Sequence, residues 1–106
     1  MTIVEVDAGS CGFKTQIEVS KDDSKRVSIS ISSDCEAVEK WGEQLGSVNW
    51  RECLGEKAFS SQIFISATDC LKHLTCPVYI GLLKAIEVEV GASLPADATI
   101  RFVPGE

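Results

Sequence analysis

The stretch Val27-Ser-Ile-Ser-Ile-Ser32 alternates apolar and hydroxyl residues without a break. Successive side chains of a strand point to opposite faces, so this pattern buries Val27, Ile29 and Ile31 and leaves the serines wet. A helix would scatter the same residues around its circumference. The same period runs upstream: Phe13, Thr15, Ile17 and Val19 alternate with Lys14, Gln16, Glu18 and Ser20, and Val4 and Val6 with Glu5 and Asp7. Such alternation belongs to antiparallel strands with one solvated face. Between the second and third of them, Lys21-Asp-Asp-Ser-Lys25 is a polar turn of hairpin length.

The period changes at Ser33-Asp-Cys-Glu36, which reads as a capping box. Ala37, Val38, Trp41 and Leu45 follow at helical spacing, and Gly46 supplies a stop. Residues 49–54 are expected to form a helical turn and residues 62–65 a short strand. Ser66-Ala-Thr-Asp69 reads as a second cap, opening a short helix that carries Cys70 and His73. Pro77 suits the first turn of a further helix, where its missing N–H costs nothing. Leu82, Leu83, Ile86 and Val90 give that helix its apolar stripe, and Gly91 ends it. Residues 98–103 return to strand, with Ile100 and Phe102 inward. The order predicts an α+β domain, an antiparallel sheet of three to four strands with helices packed on one face. At 106 residues, 44% of them apolar, the chain is expected to be a single domain (1–106) around one core.

Sixteen acidic residues against ten basic ones give a formal charge of −6. Nucleic-acid affinity comes largely from phosphate neutralisation, so no nucleic-acid partner is expected. No apolar run approaches the roughly 20 residues of a membrane span, and no membrane partner is expected either. The first residues, Met-Thr-Ile-Val-Glu-Val-Asp, carry acid where a secretory signal carries lysine or arginine. A cytoplasmic location is therefore expected, where thiols stay reduced and cysteines mean metal or redox chemistry more often than disulfides.

Five cysteines are a heavy load for such a chain. The run Cys70-Leu-Lys-His73-Leu-Thr-Cys76-Pro77 gathers three soft ligands, and Cys11 and Cys35 lie far upstream. Cys11 falls in Ala8-Gly-Ser-Cys-Gly12, a turn whose glycines let backbone amides approach a bound anion. By the capping reading Cys35 is the second residue of its helix, and Cys76 is at or beside the start of the long one. Free N–H groups and the positive end of the helix dipole favour a thiolate at both. Cys70 and His73, three apart, are expected to share a helix face. The intervals match no zinc-finger or ferredoxin template. If the sheet brings Cys11 to the edge where both helices begin, Cys11, Cys35, Cys70 and Cys76 converge, and His73 can replace one of them. Four thiolates suit zinc or an iron–sulfur cluster equally. Cys53 lacks any such setting and is read as packing, as are Trp41 and Trp50.

Two resemblances extend this reading. Cys11-Gly-Phe-Lys-Thr15, Ser33-Asp-Cys35, Cys70-x-x-His73-x-x-Cys76-Pro77 and the segment 81–91 together resemble a small uncharacterised cysteine-rich family of anaerobic archaea and bacteria. The chain is also similar in layout to the U-type iron–sulfur scaffold proteins. They too place a Cys-Gly before strands, a cysteine at the start of a following helix and a third opening a later helix. Cys11, Cys35 and Cys76 occupy the matching places, which implies a cluster scaffold or carrier. The chain departs from them at Phe13, where they carry an aspartate, in a histidine three residues before Cys76, not adjacent to it, and in having Cys70 and a final strand.

The leading expectation is thus a metal- or cluster-binding protein. Two alternatives stand beside it: a thiol-redox protein cycling Cys70 and Cys76, or a non-catalytic interaction module with buried cysteines. In the last, exposed Tyr79 and Ile80 would contact a second copy or a protein partner. A single histidine, no phosphate loop and no paired carboxylates of defined geometry leave enzymatic activity open.

Overall fold

The computed structural model describes residues 1–55, 60–73 and 75–105. Three strands, β1 (Thr2–Asp7), β2 (Lys14–Lys21) and β3 (Arg26–Ser33), form an antiparallel meander, and a three-residue β4 (Ser47–Asn49) completes the sheet order β1-β2-β3-β4. The registers Val4↔Ile17, Val6↔Thr15 and Ile17↔Ile31 put the apolar set on one face, as the alternation requires. The other face carries Glu5, Gln16, Ser28, Ser30 and Ser32, all exposed. The hairpin turn is held by Asp23, whose carboxylate accepts from the Lys25 and Arg26 N–H groups at 2.8 and 2.9 Å. Those two bonds hold its carboxyl below the usual range.

Among the described residues there are four helices, α1 (Glu36–Leu45) before β4 and α2 (Trp50–Leu54), α3 (Gln62–Cys70) and α4 (Val78–Glu89) after it. α1 lies on β3 and α4 on β1 and β2, so the core sits between this layer and one sheet face. Both helices approach the sheet through glycine. A Cβ built on Gly42 would stand 2.7 Å from Ile31 Cβ, and one on Gly81 2.6 Å from Val6 Cγ2. α3 packs on α1, where the buried Trp41 Nε1–H donates to Ser66 Oγ at 3.0 Å. The Trp41 ring lies 6.1 Å from that of Tyr79, and Phe64 meets the same tyrosine edge-on. Trp50 is half-buried beneath the Arg51 guanidinium, 5.3 Å from its ring centre.

Several local expectations are corrected. Residues 62–65 are helical, not strand: Ser61 caps α3, its hydroxyl accepting the Phe64 N–H. Ser66 is therefore an interior helix residue, and its hydroxyl turns back on the Gln62 carbonyl at 2.6 Å. Residues 98–103 form no strand. The whole tail 92–105 is exposed, and Ile100 and Phe102 point at solvent. Tyr79 is half-buried in the aromatic contact just described, leaving Ile80 as the exposed apolar residue of that pair. Among the described residues no helix is long and apolar enough to cross a membrane.

The last turn of α4 is fastened to the sheet by Glu89. Its carboxylate accepts from the Lys21 N–H and from Thr2 Oγ1, both at 2.8 Å. The Lys21 bond first, then the Thr2 bond, lowers its pKa below the ordinary 4.5. A depressed folded-state pKa contributes stability that is present above the unfolded value and lost as pH falls through the folded one. Glu89→Gln is therefore expected to lower stability at neutral pH and to flatten the pH dependence below 4.5. Chemical denaturation at a series of pH values measures both, and an unchanged acid limb would remove Glu89 from this role.

Candidate cysteine site

The β1–β2 connection is a closed loop. The Ala8 N–H reaches the Phe13 carbonyl at 3.2 Å, the Gly12 N–H reaches that of Gly9 at 2.9 Å, and both glycines have positive φ. Left-handed backbone is cheap only for glycine, so the Gly-Ser-Cys-Gly string dictates this turn. Cys11 sits at its tip, exposed. The loop belongs to the Asp7↔Lys14 end of the sheet, and the Lys14 carbonyl accepts the N–H of Asp34, the residue just past β3. Cys35 follows directly.

Cys35 is the N-cap residue of α1, not its second residue, and its side chain makes no cap bond. The capping box is displaced accordingly. Ser33 Oγ accepts the Cys35 N–H at 3.1 Å, pairs with Thr15 Oγ1 at 2.7 Å, and the Ser33 N–H is taken by Glu39 instead of Glu36. Thr15 and Glu39 thus brace the backbone around Cys35, which the sequence reading missed. The available signal was the spacing: with Cys35 as N-cap, Glu39 and not Glu36 lies one turn up the helix.

Cys76 immediately precedes Pro77, the N-cap of α4, and its N–H donates to the His73 carbonyl at 3.2 Å. Glu89 fixes the far end of α4 at Thr2, while Gly81 lies on Val6. The start of α4 is consequently at the Asp7 end of β1, the end that carries the Cys11 loop and Cys35. Cys35 and Cys76 are half-buried against the core.

Cys70 and His73 do not fulfil the expected pairing. Cys70 is the last residue of α3, at the C-terminal end of its helix, whereas Cys35 and Cys76 stand at helix starts. His73 lies beyond the helix and is exposed, so the two share no helix face. All five cysteines are free thiols. Among the described residues no group of three or more His, Cys, Asp and Glu side chains stands ready to hold a metal ion. A shallow groove beside Cys35 is lined by Glu5, Asp7, Asp34 and Glu39 with Lys14 as its one cation among the described residues, a surface that suits a cation better than a phosphate-bearing ligand.

Cys53 is buried in α2, its thiol donating to the Asn49 carbonyl at 3.4 Å. Burial first, and then the charge of Glu52, push this thiol up to about 11. In the folded protein at pH 8 it is expected to resist iodoacetamide while exposed Cys11 reacts first. Mass mapping of the alkylated cysteines checks the order, and early labelling of Cys53 would contradict its placement.

A family model matches residues 2–102, nearly the full length, from the start of β1 into the tail. The chain belongs to DUF6951. That group is described as a family of unknown function, in agreement with the uncharacterised family expected from the cysteine motifs. No curated protein and no solved structure matches this DUF6951 chain.

Proposed function

We propose that this chain binds a metal ion or an iron–sulfur cluster through Cys11, Cys35 and Cys76, with Cys70 as the fourth thiol and His73 as its substitute. One observation carries the reading: the Cys11 loop, the Cys35 cap and the segment entering α4 lie at the same end of the sheet. The donors fit such a group chemically, because all four are free cysteines and thiolate sulfur is the ligand that zinc and iron–sulfur clusters take. Assembly of the site requires the exposed Cys11 to turn toward Cys35 and Cys76, so binding and ordering of the loop are coupled. The resemblance of the Cys11, Cys35 and Cys76 placements to those of U-type scaffold proteins supports a carrier or scaffold role.

Protein purified without exposure to air is expected to carry zinc, or iron with sulfide and a visible absorption band. Cys35→Ser and Cys76→Ser are expected to lose most of it with the fold retained. Folded, metal-free protein under those conditions would overturn the proposal. So would two thiols that disappear reversibly on mild oxidation with no metal involved, which is the behaviour of a Cys70–Cys76 redox pair.

A further inference from the structure

The tail 92–105 carries Ile100, Phe102 and Val103 exposed at 88%, 97% and 75%, although its sequence alternates as a strand does. β1 is an edge strand, hydrogen-bonded to β2 alone among the described residues. An unpaired edge presents a row of N–H and C=O groups, and adding a strand to it is a common mode of recognition. The two lengths agree, six residues in β1 and six in 98–103. The family match runs through Phe102, so the tail belongs to the shared chain.

We propose that residues 98–103 add, antiparallel, to the free edge of β1 in a second copy of this chain, the exchange being reciprocal. The side chains select direction and register. With Arg101 opposite Glu5, Ile100 falls opposite Val6 and Phe102 opposite Val4, on the half-buried face. Thr99 and Val103 meet Asp7 and Ile3 on the wet one. Arg101 is the only cation of the tail, and the exposed face of β1 offers Glu5 and Asp7. Cross-strand pairs of these kinds are the units that stabilise sheets. The parallel alternative with the same Arg101–Glu5 pair sets Val103 against Asp7 and Thr99 against Ile3, a poorer match on that face.

Direction also decides whose strand is joined. Glu89 bonds Thr2, so the tail leaves α4 beside the start of β1. To run antiparallel it must enter at the Asp7 end. Residues 92–97 span at most about 20 Å when fully extended, which is roughly the length of six-residue β1 itself. Nothing is left to turn the chain round, so the register is out of reach on the chain's own sheet. On a neighbouring copy no such constraint applies.

The test is the mass of the full chain by light scattering over a concentration series, for wild type, Phe102→Asp, Arg101→Glu and the Glu5→Arg/Arg101→Glu pair. Neither Phe102 nor Arg101 is buried in the chain's own fold, so circular dichroism is expected to be unchanged in the tail variants. The wild type should dimerise. Phe102→Asp should weaken association by about tenfold or more, as expected for removal of an aromatic anchor. Arg101→Glu should weaken it and the charge-swapped pair restore it. A wild type that stays monomeric throughout, or a dimer whose affinity is unmoved by Phe102→Asp, overturns the proposal. A charge-swapped pair as weak as Arg101→Glu overturns the register.

Discussion

Trp41→Ala is expected to destabilise the protein by about 3–5 kcal/mol, a large share of the roughly 5–15 kcal/mol that holds a domain of this size together. Trp41 is fully buried in α1, and it joins three elements at once. Its helix lies on β3, its ring faces Tyr79 at the start of α4, and its N–H reaches Ser66 in α3. Removing it leaves a void that β3 and the two helices cannot close together, so the cost exceeds simple loss of apolar burial. It also strands one hydrogen bond. Trp41→Phe separates the parts: most of the ring remains, and the expected loss falls to about 1–2 kcal/mol. Ser66 keeps its bond to the Gln62 carbonyl in either variant. Urea denaturation followed by far-UV circular dichroism reads both. A Trp41→Ala protein within about 1 kcal/mol of wild type would refute this account of the core, given the usual spread of such substitutions.

The second large effect is expected where helix backbone meets the sheet. Gly81→Ala sets a methyl group 2.6 Å from Val6 Cγ2, and Val6 is β-branched and stiff about χ1. Overpacking of this kind costs about 1–3 kcal/mol, set against a helix-propensity gain of about 1 kcal/mol. Trimming Val6 to alanine removes the clashing atom. The Gly81→Ala/Val6→Ala double variant is therefore expected to be more stable than the sum of its singles, by a coupling of about 0.5–3 kcal/mol. Gly42→Ala behaves differently. There the nearest atom is Ile31 Cβ at 2.7 Å, which is fixed to the strand backbone. Ile31→Val leaves that atom in place and is expected to give no rescue. Equal rescue at both sites would mean that the helices shift freely over the sheet.

Much of this fold could be read along the chain. Period two in β1, β2 and β3 set both the strands and their buried face, because burial of one side leaves a register slip no alternative. α1 and α4 were equally legible from stripes ending at Gly46 and Gly91. The errors came where a local signal had two uses. Ser66-x-x-Asp69 has the form of a cap, but Ser66 spends its hydroxyl on its own helix and on Trp41, a partner 25 residues away. β4 is too short to show a period, and it exists because Val48 is buried against Val27. Residues 98–103 alternate as a strand should, but pairing is a property of the neighbour, which no single stretch encodes.

The cysteines divide on the same principle. Glycines at 9 and 12 and the caps of α1 and α4 are short-range features, so the settings of Cys11, Cys35 and Cys76 were readable, though Cys35 lies two helix positions earlier than its box implied. Cys70 depended on where α3 starts. Once Ser61 takes the cap, the helix is spent by residue 70, and His73 falls outside it.

The shortness of β4 has a consequence for how this molecule behaves at high concentration. β4 pairs only with Arg26–Ser28 of β3 and itself offers an incoming chain a template of just three residues. Fibril growth needs two receptive borders, one to capture the next molecule and one to be captured. With three residues to pair with on β4 against six on β1, sheet extension is expected to be favoured at the β1 border.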